Sequence, residues 1–250
     1  MKYLAFVAFT LAACASSSDP REPVETFCVQ KTFEGSRFTV CDPKSGELRL
    51  FASDSPKVRQ FGQLMQQVPA DHVEFAMNAG MFDEKGAPIG LAVSAGKEVH
   101  PLNRRKKGPG NFHMMPNGVF LVLTSGKAEI YPSDAIPPGT HPRLATQSGP
   151  MLVIQGELHP AFEPDGRSRY IRNGVGVTGA GKPLFVISQD PVSFGKLARF
   201  FRDVLKTPNA LYFDGAVSSL WDPANGRMDS HSPLGPIIVA LKPAESAPGP

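Results

Sequence analysis

Short apolar runs, nearly all closed off by glycine or proline, are the feature that most limits what this chain can become. The 24 glycines and 25 prolines are spread along all 250 residues. That punctuation interrupts the sustained 3.6-residue periodicity that a helical bundle needs. Brief apolar stretches separated by turn residues are instead the signature of strands. The expected architecture is α+β: a strand-rich mixed-sheet domain with a few packed helices, preceded by a signal peptide. The length suits one domain with a substantial core, or at most two.

The first strands form a hairpin whose register can be worked out. Thr26 to Val29 and Arg37 to Val40 read as strands on either side of Glu34-Gly35. A two-residue turn there sets Phe33 opposite Ser36, and counting outward brings Cys28 opposite Cys41. This falls at a non-hydrogen-bonded pair, where Cα atoms lie about 4.5 Å apart, close to the range that a disulfide accepts. The bond is expected as a structural staple. Further strands are expected over Val73 to Met77, Val119 to Leu123, Met151 to Ile154, Leu184 to Ser188, Leu211 to Phe213 and Pro236 to Leu241. A second hairpin, Gly90 to Ser94 with Lys97 to His100, turns at Ala95-Gly96. One helix is expected from Ser55-Pro56, with Val58, Phe61, Leu64, Met65 and Val68 on its apolar face and Pro69 at its end. A second is expected to be capped by Ser193 and to carry Leu197, Phe200, Phe201, Val204 and Leu205.

The N-terminus speaks to location. Lys2 is followed by an apolar run from Tyr3 to Leu11, too short to span a bilayer as a helix. Residues 1–13 read as a secretory signal peptide. Leu11-Ala12-Ala13-Cys14 resembles a bacterial lipobox, in which Cys14 is lipidated and becomes the first residue of the mature chain. An ordinary signal peptide cut elsewhere is the other reading. Residues 14–24 form a polar tether, and a lipid on Cys14 would hold the protein at the membrane on the periplasmic or cell-surface side. The formal charge of +3 gives no reason to expect a nucleic-acid partner.

Several polar residues stand at the ends of apolar runs. Asp214-Gly215 follows Leu211-Tyr212-Phe213 and precedes Ser218-Ser219; Asn78 follows Val73 to Met77 in the same way. A polar side chain at the end of a buried strand is held rigidly and can face a crevice, although Asp-Gly also suits a plain hairpin. Arg172 is followed by small residues that allow close approach to its guanidinium. Arg104 to Lys107 is either a solvated loop or a flexible rim that attracts anions. His113 lies near a loop and a strand start, where a lone histidine is more often structural.

Asn78-Ala79-Gly80-Met81-Phe82, Ser148-Gly149-Pro150, Arg172-Asn173-Gly174-Val175-Gly176 and Asp214-Gly215-Ala216-Val217-Ser218-Ser219 occur in this order. Together they resemble the phosphodiester glycosidase family, over roughly 75–221. Ala79, Asn173-Gly174 and Ala216-Val217 depart from the patterns usual in that family, which bears on substrate shape. The resemblance implies a mixed α+β domain, placed here at 25–242 with a flexible tail at 243–250. It implies hydrolysis of the bond between a sugar and a phosphate, here in an envelope sugar-1-phosphodiester. A phosphate leaving group is already a stable anion, so a general acid matters less than for an alcohol. Asp214 is assigned as base or nucleophile, Arg172 as phosphate clamp and Asn78 as a contact to sugar hydroxyls. Ser218 and Ser219 would donate to the phosphate or orient Asp214. Asp83 and His113 are secondary candidates for acid or base, and Gly80, Ser148 and Gly215 complete the expected substrate contacts.

Other chemistries have less behind them. The six histidines show no paired metal-ligand spacing, so no metal is expected. There is no P-loop, no dinucleotide fingerprint and no Gly-x-Ser-x-Gly elbow, so no cofactor is expected. The alternative from another class is a lipoprotein that binds an envelope glycan or phosphopolymer without cleaving it.

Overall fold

The computed structural model describes residues 25–44, 46–52 and 58–243. The signal peptide, Cys14, the tether, the Ser55-Pro56 helix start and residues 244–250 lie outside the described residues. Within them the chain is a strand-rich α+β domain built on three sheets. Every pairing between named strands is antiparallel, so the sheets are not mixed as the sequence suggested. Hairpins and returns do the work that parallel crossovers would do in an α/β protein.

The largest sheet runs in space through Cys28–Phe33, Ser36–Cys41, Pro183–Ser188, Asn173–Val177, Asn209–Tyr212, Met151–Ile154 and Glu157–Leu158. The second runs through Arg227–Met228, Leu220–Asp222, Val73–Asn78, Ile237–Leu241 and Glu47–Phe51. The third runs through Lys97–His100, Ala92–Ser94, Pro142–Ser148, Gly118–Leu123 and Ala128–Pro132. One central core joins all three: Phe75 and Met77 come from the second sheet, Phe120 and Leu144 from the third, Phe185 and Leu211 from the first.

The first hairpin has the expected register, with Phe33 opposite Ser36 and Cys28 opposite Cys41. Glu34 and Gly35 both have positive φ, 46° and 71°, the conformation of a two-residue turn that matches strand twist. Cys28 and Cys41 are disulfide-bonded, with Cα atoms 4.0 Å apart.

The helices are shorter than the periodicity implied. In the first, the regular helix among the described residues is Phe61–Leu64. Val58, Phe61, Leu64 and Val68 do pack against Trp221, Ile237 and Val239, but Met65 is 45% exposed. Met65 directly follows Leu64, and the single turn that sets Phe61 and Leu64 inward leaves it on the exposed side. The second helix, Phe194–Arg199, is capped as expected by the Ser193 hydroxyl, which accepts from the Lys196 N–H at 3.1 Å. It continues as a π-helical turn over Phe200–Val204 and lays Phe200 on Phe38, ring centroids 4.1 Å apart.

Strand Val73–Asn78 is buried along its whole length. Its register against Ile237–Leu241 slips between Ala240 and Leu241. Glu74, at this irregularity, is fully buried, and neither carboxylate oxygen has a hydrogen-bond partner among the described residues.

Candidate active site

Two buried strands from different sheets, Val73–Asn78 and Asn209–Tyr212, end beside each other, and the residues that follow them are stitched together. The Asp214 N–H donates to the Ala79 carbonyl at 3.0 Å. The Asn78 amide donates from Nδ2 to the Asp214 carbonyl at 2.8 Å. Asn78 Oδ1 accepts from Asn173 Nδ2 at 2.9 Å and from the Ser219 N–H at 2.8 Å. Asn173 Nδ2 also donates to the Asn78 carbonyl at 3.0 Å. Its Oδ1 accepts from the Ser218 hydroxyl at 3.0 Å, which also donates to the Ile171 carbonyl at 3.1 Å. Three of the four separated motifs therefore converge on one hydrogen-bonded knot.

That knot fixes the backbone that carries Asp214. The Asp214 carboxylate is half-buried and accepts from the Ala216 N–H at 3.2 Å. Burial pushes its pKa up, and the Ala216 hydrogen bond opposes the rise. Asp214 is in none of the ion pairs among the described residues. The next residue must be glycine: a Cβ on Gly215 would lie 1.7 Å from the Tyr212 hydroxyl. Tyr212 is itself buried, and burial raises its pKa, with Arg172 opposing the rise.

Two of the expected contacts face inward. Arg172 is 1% exposed. Its Nε donates to the Val192 carbonyl at 2.9 Å, its Nη1 to the Tyr212 hydroxyl at 3.1 Å, and its Nη2 to the carbonyl and hydroxyl of Ser168, both at 3.1 Å. The Phe194 ring covers one face at 3.7 Å. This guanidinium is committed to the protein and holds up the Tyr212 hydroxyl. Asn78, also 1% exposed, spends its amide on the knot.

The other expected residues divide. Ser218 belongs to the knot and lines an adjoining cleft. Ser219 joins the knot through its N–H, while its hydroxyl donates to the Val217 carbonyl at 2.7 Å. The Gly80 N–H donates to Thr146 Oγ1 at 3.2 Å, tying the Asn78 strand end to the third sheet. Ser148 is fully buried and its hydroxyl has no partner among the described residues. Asp83 is exposed and caps its own loop, accepting from the Lys85 and Ala87 N–H groups at 2.9 Å each; those bonds lower its pKa. His113 lies with Nδ1 3.0 Å from the Pro109 carbonyl. Both serve their local loops.

The cleft has a volume of about 530 Å³. Gly215, Ala216 and Ser218 form one wall; Tyr170, Gln189, Arg227 and His231 are among the other lining residues. None of these last four was singled out by sequence. The available signal was the Asn225-Gly226 turn, which returns the chain to the strand that leaves Ser219, with Trp221 opposite Met228 and Asp222 opposite Arg227. A larger cleft of about 610 Å³, lined by Leu48, Arg49, Phe51 and Arg143 among others, contains none of the expected site residues. Among the described residues no three or more His, Cys, Asp or Glu side chains are grouped to hold a metal ion, and no helix is long and apolar enough to cross a membrane.

Comparison with known proteins shows the family of this chain. The chain is 38% identical over 149 residues to the uncharacterized protein YigE of Escherichia coli, a match covering 60% of this chain and 58% of that protein. Its fold is similar to the catalytic domain of zebrafish N-acetylglucosamine-1-phosphodiester alpha-N-acetylglucosaminidase, auto-inhibited by its pro-peptide. That match has a TM-score of 0.58 at 16% identity and covers 91% of this chain and 86% of the other. A hypothetical protein from Synechocystis matches with a TM-score of 0.52 at 16% identity, over 86% of this chain and 61% of its own. The family model for phosphodiester glycosidase matches residues 71–235, a span that holds all four motifs and both strands that end at the knot, and by that match the chain belongs to the phosphodiester glycosidase family.

Proposed function

We propose that this protein hydrolyses the glycosidic bond of a sugar-1-phosphodiester in the bacterial cell envelope, where a lipid on Cys14 anchors it. The observation that carries the reading is Asp214: a half-buried carboxylate with no cationic partner among the described residues, on a loop whose backbone is fixed from both sides. In the reaction, C1 of the sugar gains an oxygen and its bond to the phosphate oxygen breaks. Asp214 either takes the proton of the water that attacks C1, or attacks C1 itself to form a glycosyl ester that water then hydrolyses, freeing the sugar and the carboxylate. The departing phosphate monoester leaves as an anion. Asn78 and Arg172 act as positioning residues, the first through the Asp214 backbone and the second through Tyr212. Tyr170, 61% exposed on the cleft wall, offers an aromatic face to a sugar ring.

The test is a panel of sugar-1-phosphodiesters, N-acetylglucosamine forms included, incubated with wild type and with Asp214→Asn. Free sugar from wild type only supports the reading. Equal turnover by a folded Asp214→Asn refutes the role of Asp214. No release from any substrate, with both proteins binding ligand alike, favours a non-catalytic binding lipoprotein. Heavy-oxygen water separates cleavage at C1 from cleavage at phosphorus: label belongs in the sugar.

A further inference from the structure

We infer that Arg227, held in place by Asp229, is the phosphate-binding group of this site; the inference deepens the glycosidase reading above and rests on it. With Arg172 enclosed, the cleft beside the Asp214 loop needs another cation if it is to hold a phosphodiester. Arg227 lines that cleft together with Gly215, Ala216 and Ser218. Its position follows from the hairpin that pairs Leu220–Asp222 with Arg227–Met228, because Leu220 directly follows the serines of the knot. The Asp214 loop and Arg227 are therefore set by one short piece of sheet.

The guanidinium is fixed along one edge. Nε donates to both oxygens of Asp229, at 3.1 and 3.2 Å, and Nη2 donates to Oδ2 at 2.7 Å. Asp229 is in turn anchored to the backbone: its Oδ2 accepts from the Leu220 N–H at 2.9 Å, and its own N–H donates to the Leu220 carbonyl at 3.1 Å. A guanidinium presents more than one pair of parallel N–H groups. With the Nε–Nη2 edge taken, the Nη1–Nη2 edge remains, and Nη1 has no hydrogen-bond acceptor among the described residues. The side chain keeps 25% of its surface exposed. Asp229 offsets part of the positive charge but removes the side chain's freedom, so the free edge needs no further ordering when an anion arrives. His231 and Gln189, also lining the cleft, add further polar contacts. A phosphate or phosphate ester is the ligand class that suits a bidentate N–H edge of this kind.

The experiment uses inorganic phosphate as the probe, followed by nuclear magnetic resonance on the folded wild type. Addition of phosphate is expected to shift the Arg227 side-chain resonances together with the Gly215 and Ala216 amides. Arg227→Gln is expected to weaken phosphate binding at least tenfold and to raise KM for a sugar-1-phosphodiester by a similar factor. Asp229→Asn is expected to weaken both by less, because the cation remains but is no longer held. Absence of the wild-type shifts, or unchanged phosphate affinity in folded Arg227→Gln, overturns the inference whether or not the enzyme turns over. If phosphate shifts Arg227 yet no sugar phosphodiester is cleaved, the glycosidase reading fails while the anion site stands.

Discussion

Replacing Glu74 by glutamine is expected to remove a loss of stability that wild type suffers between acid and neutral pH. Glu74 is fully buried, and neither oxygen has a hydrogen-bond partner among the described residues. Burial is the main reason its pKa rises from 4.5 to about 7; Glu25 and Asp42 add to the rise, while Lys242 and Lys44 oppose it. Below pH 4.5 the carboxyl is neutral in both folded and unfolded chains and costs nothing extra. As pH rises through 4.5, the unfolded chain ionises while the folded one holds its proton, so stability falls. Above the folded value both states are ionised and the full cost is present. Between 4.5 and about 7, at about 1.4 kcal/mol per pH unit, that cost is roughly 3 kcal/mol. With a urea m-value of about 2 kcal/mol/M, it corresponds to a midpoint shift of about 1.5 M. The assay is urea unfolding of wild type and Glu74→Gln from about pH 4 to about pH 8. Glutamine brings its own constant penalty as a buried amide, so the informative quantity is the difference between the two pH profiles. That difference is expected to move in favour of the variant as pH rises. Parallel profiles would refute the reasoning.

Two further outcomes follow from the same packing. Asn78→Ala removes the partner of Asn173, of the Ser219 N–H and of the Asp214 carbonyl; it is expected to cost about 2–4 kcal/mol in urea unfolding and, in steady-state kinetics, to lower kcat more than it raises KM, because Asn78 acts through the Asp214 backbone. The double variant Cys28→Ser, Cys41→Ser opens a loop with a sequence separation of 13 and is expected to lose about 3 kcal/mol, read from urea unfolding against the oxidised protein.

Much of the fold was legible because turn chemistry is local. Glu34-Gly35 and Ala95-Gly96 mark their hairpins at the right residues, and both turns use positive φ. The strand Asn173–Val177 was not legible, because its two glycines carry no strand signal. The structure shows why Gly174 is there: a Cβ on it would lie 2.5 Å from the Leu211 carbonyl, so the chain can sit this close to Asn209–Tyr212 at that position only without a side chain. Asp214 and Asn78 were visible as polar ends of apolar runs. What sequence could not show is which way a side chain turns. Arg172 looks accessible beside small residues, yet Tyr212, which pairs with Gly174, and Phe194 from the neighbouring helix both pack against it. Arg227 carries no comparable local signal, since its role depends on a carboxylate two residues away and a hairpin that folds back on the knot.

The knot also sets when during folding a functional molecule first exists. Asn78 bonds partners 95, 136 and 141 positions away, so its contacts close only after both large sheets have docked. Long-range antiparallel pairing of this kind is slow relative to local hairpins. The Asp214 loop is thus expected to take its shape late, and recovery of any turnover after refolding is expected to trail the recovery of strand signal. An export route that delivers this chain unfolded would carry it in a form unable to act until it reaches its destination.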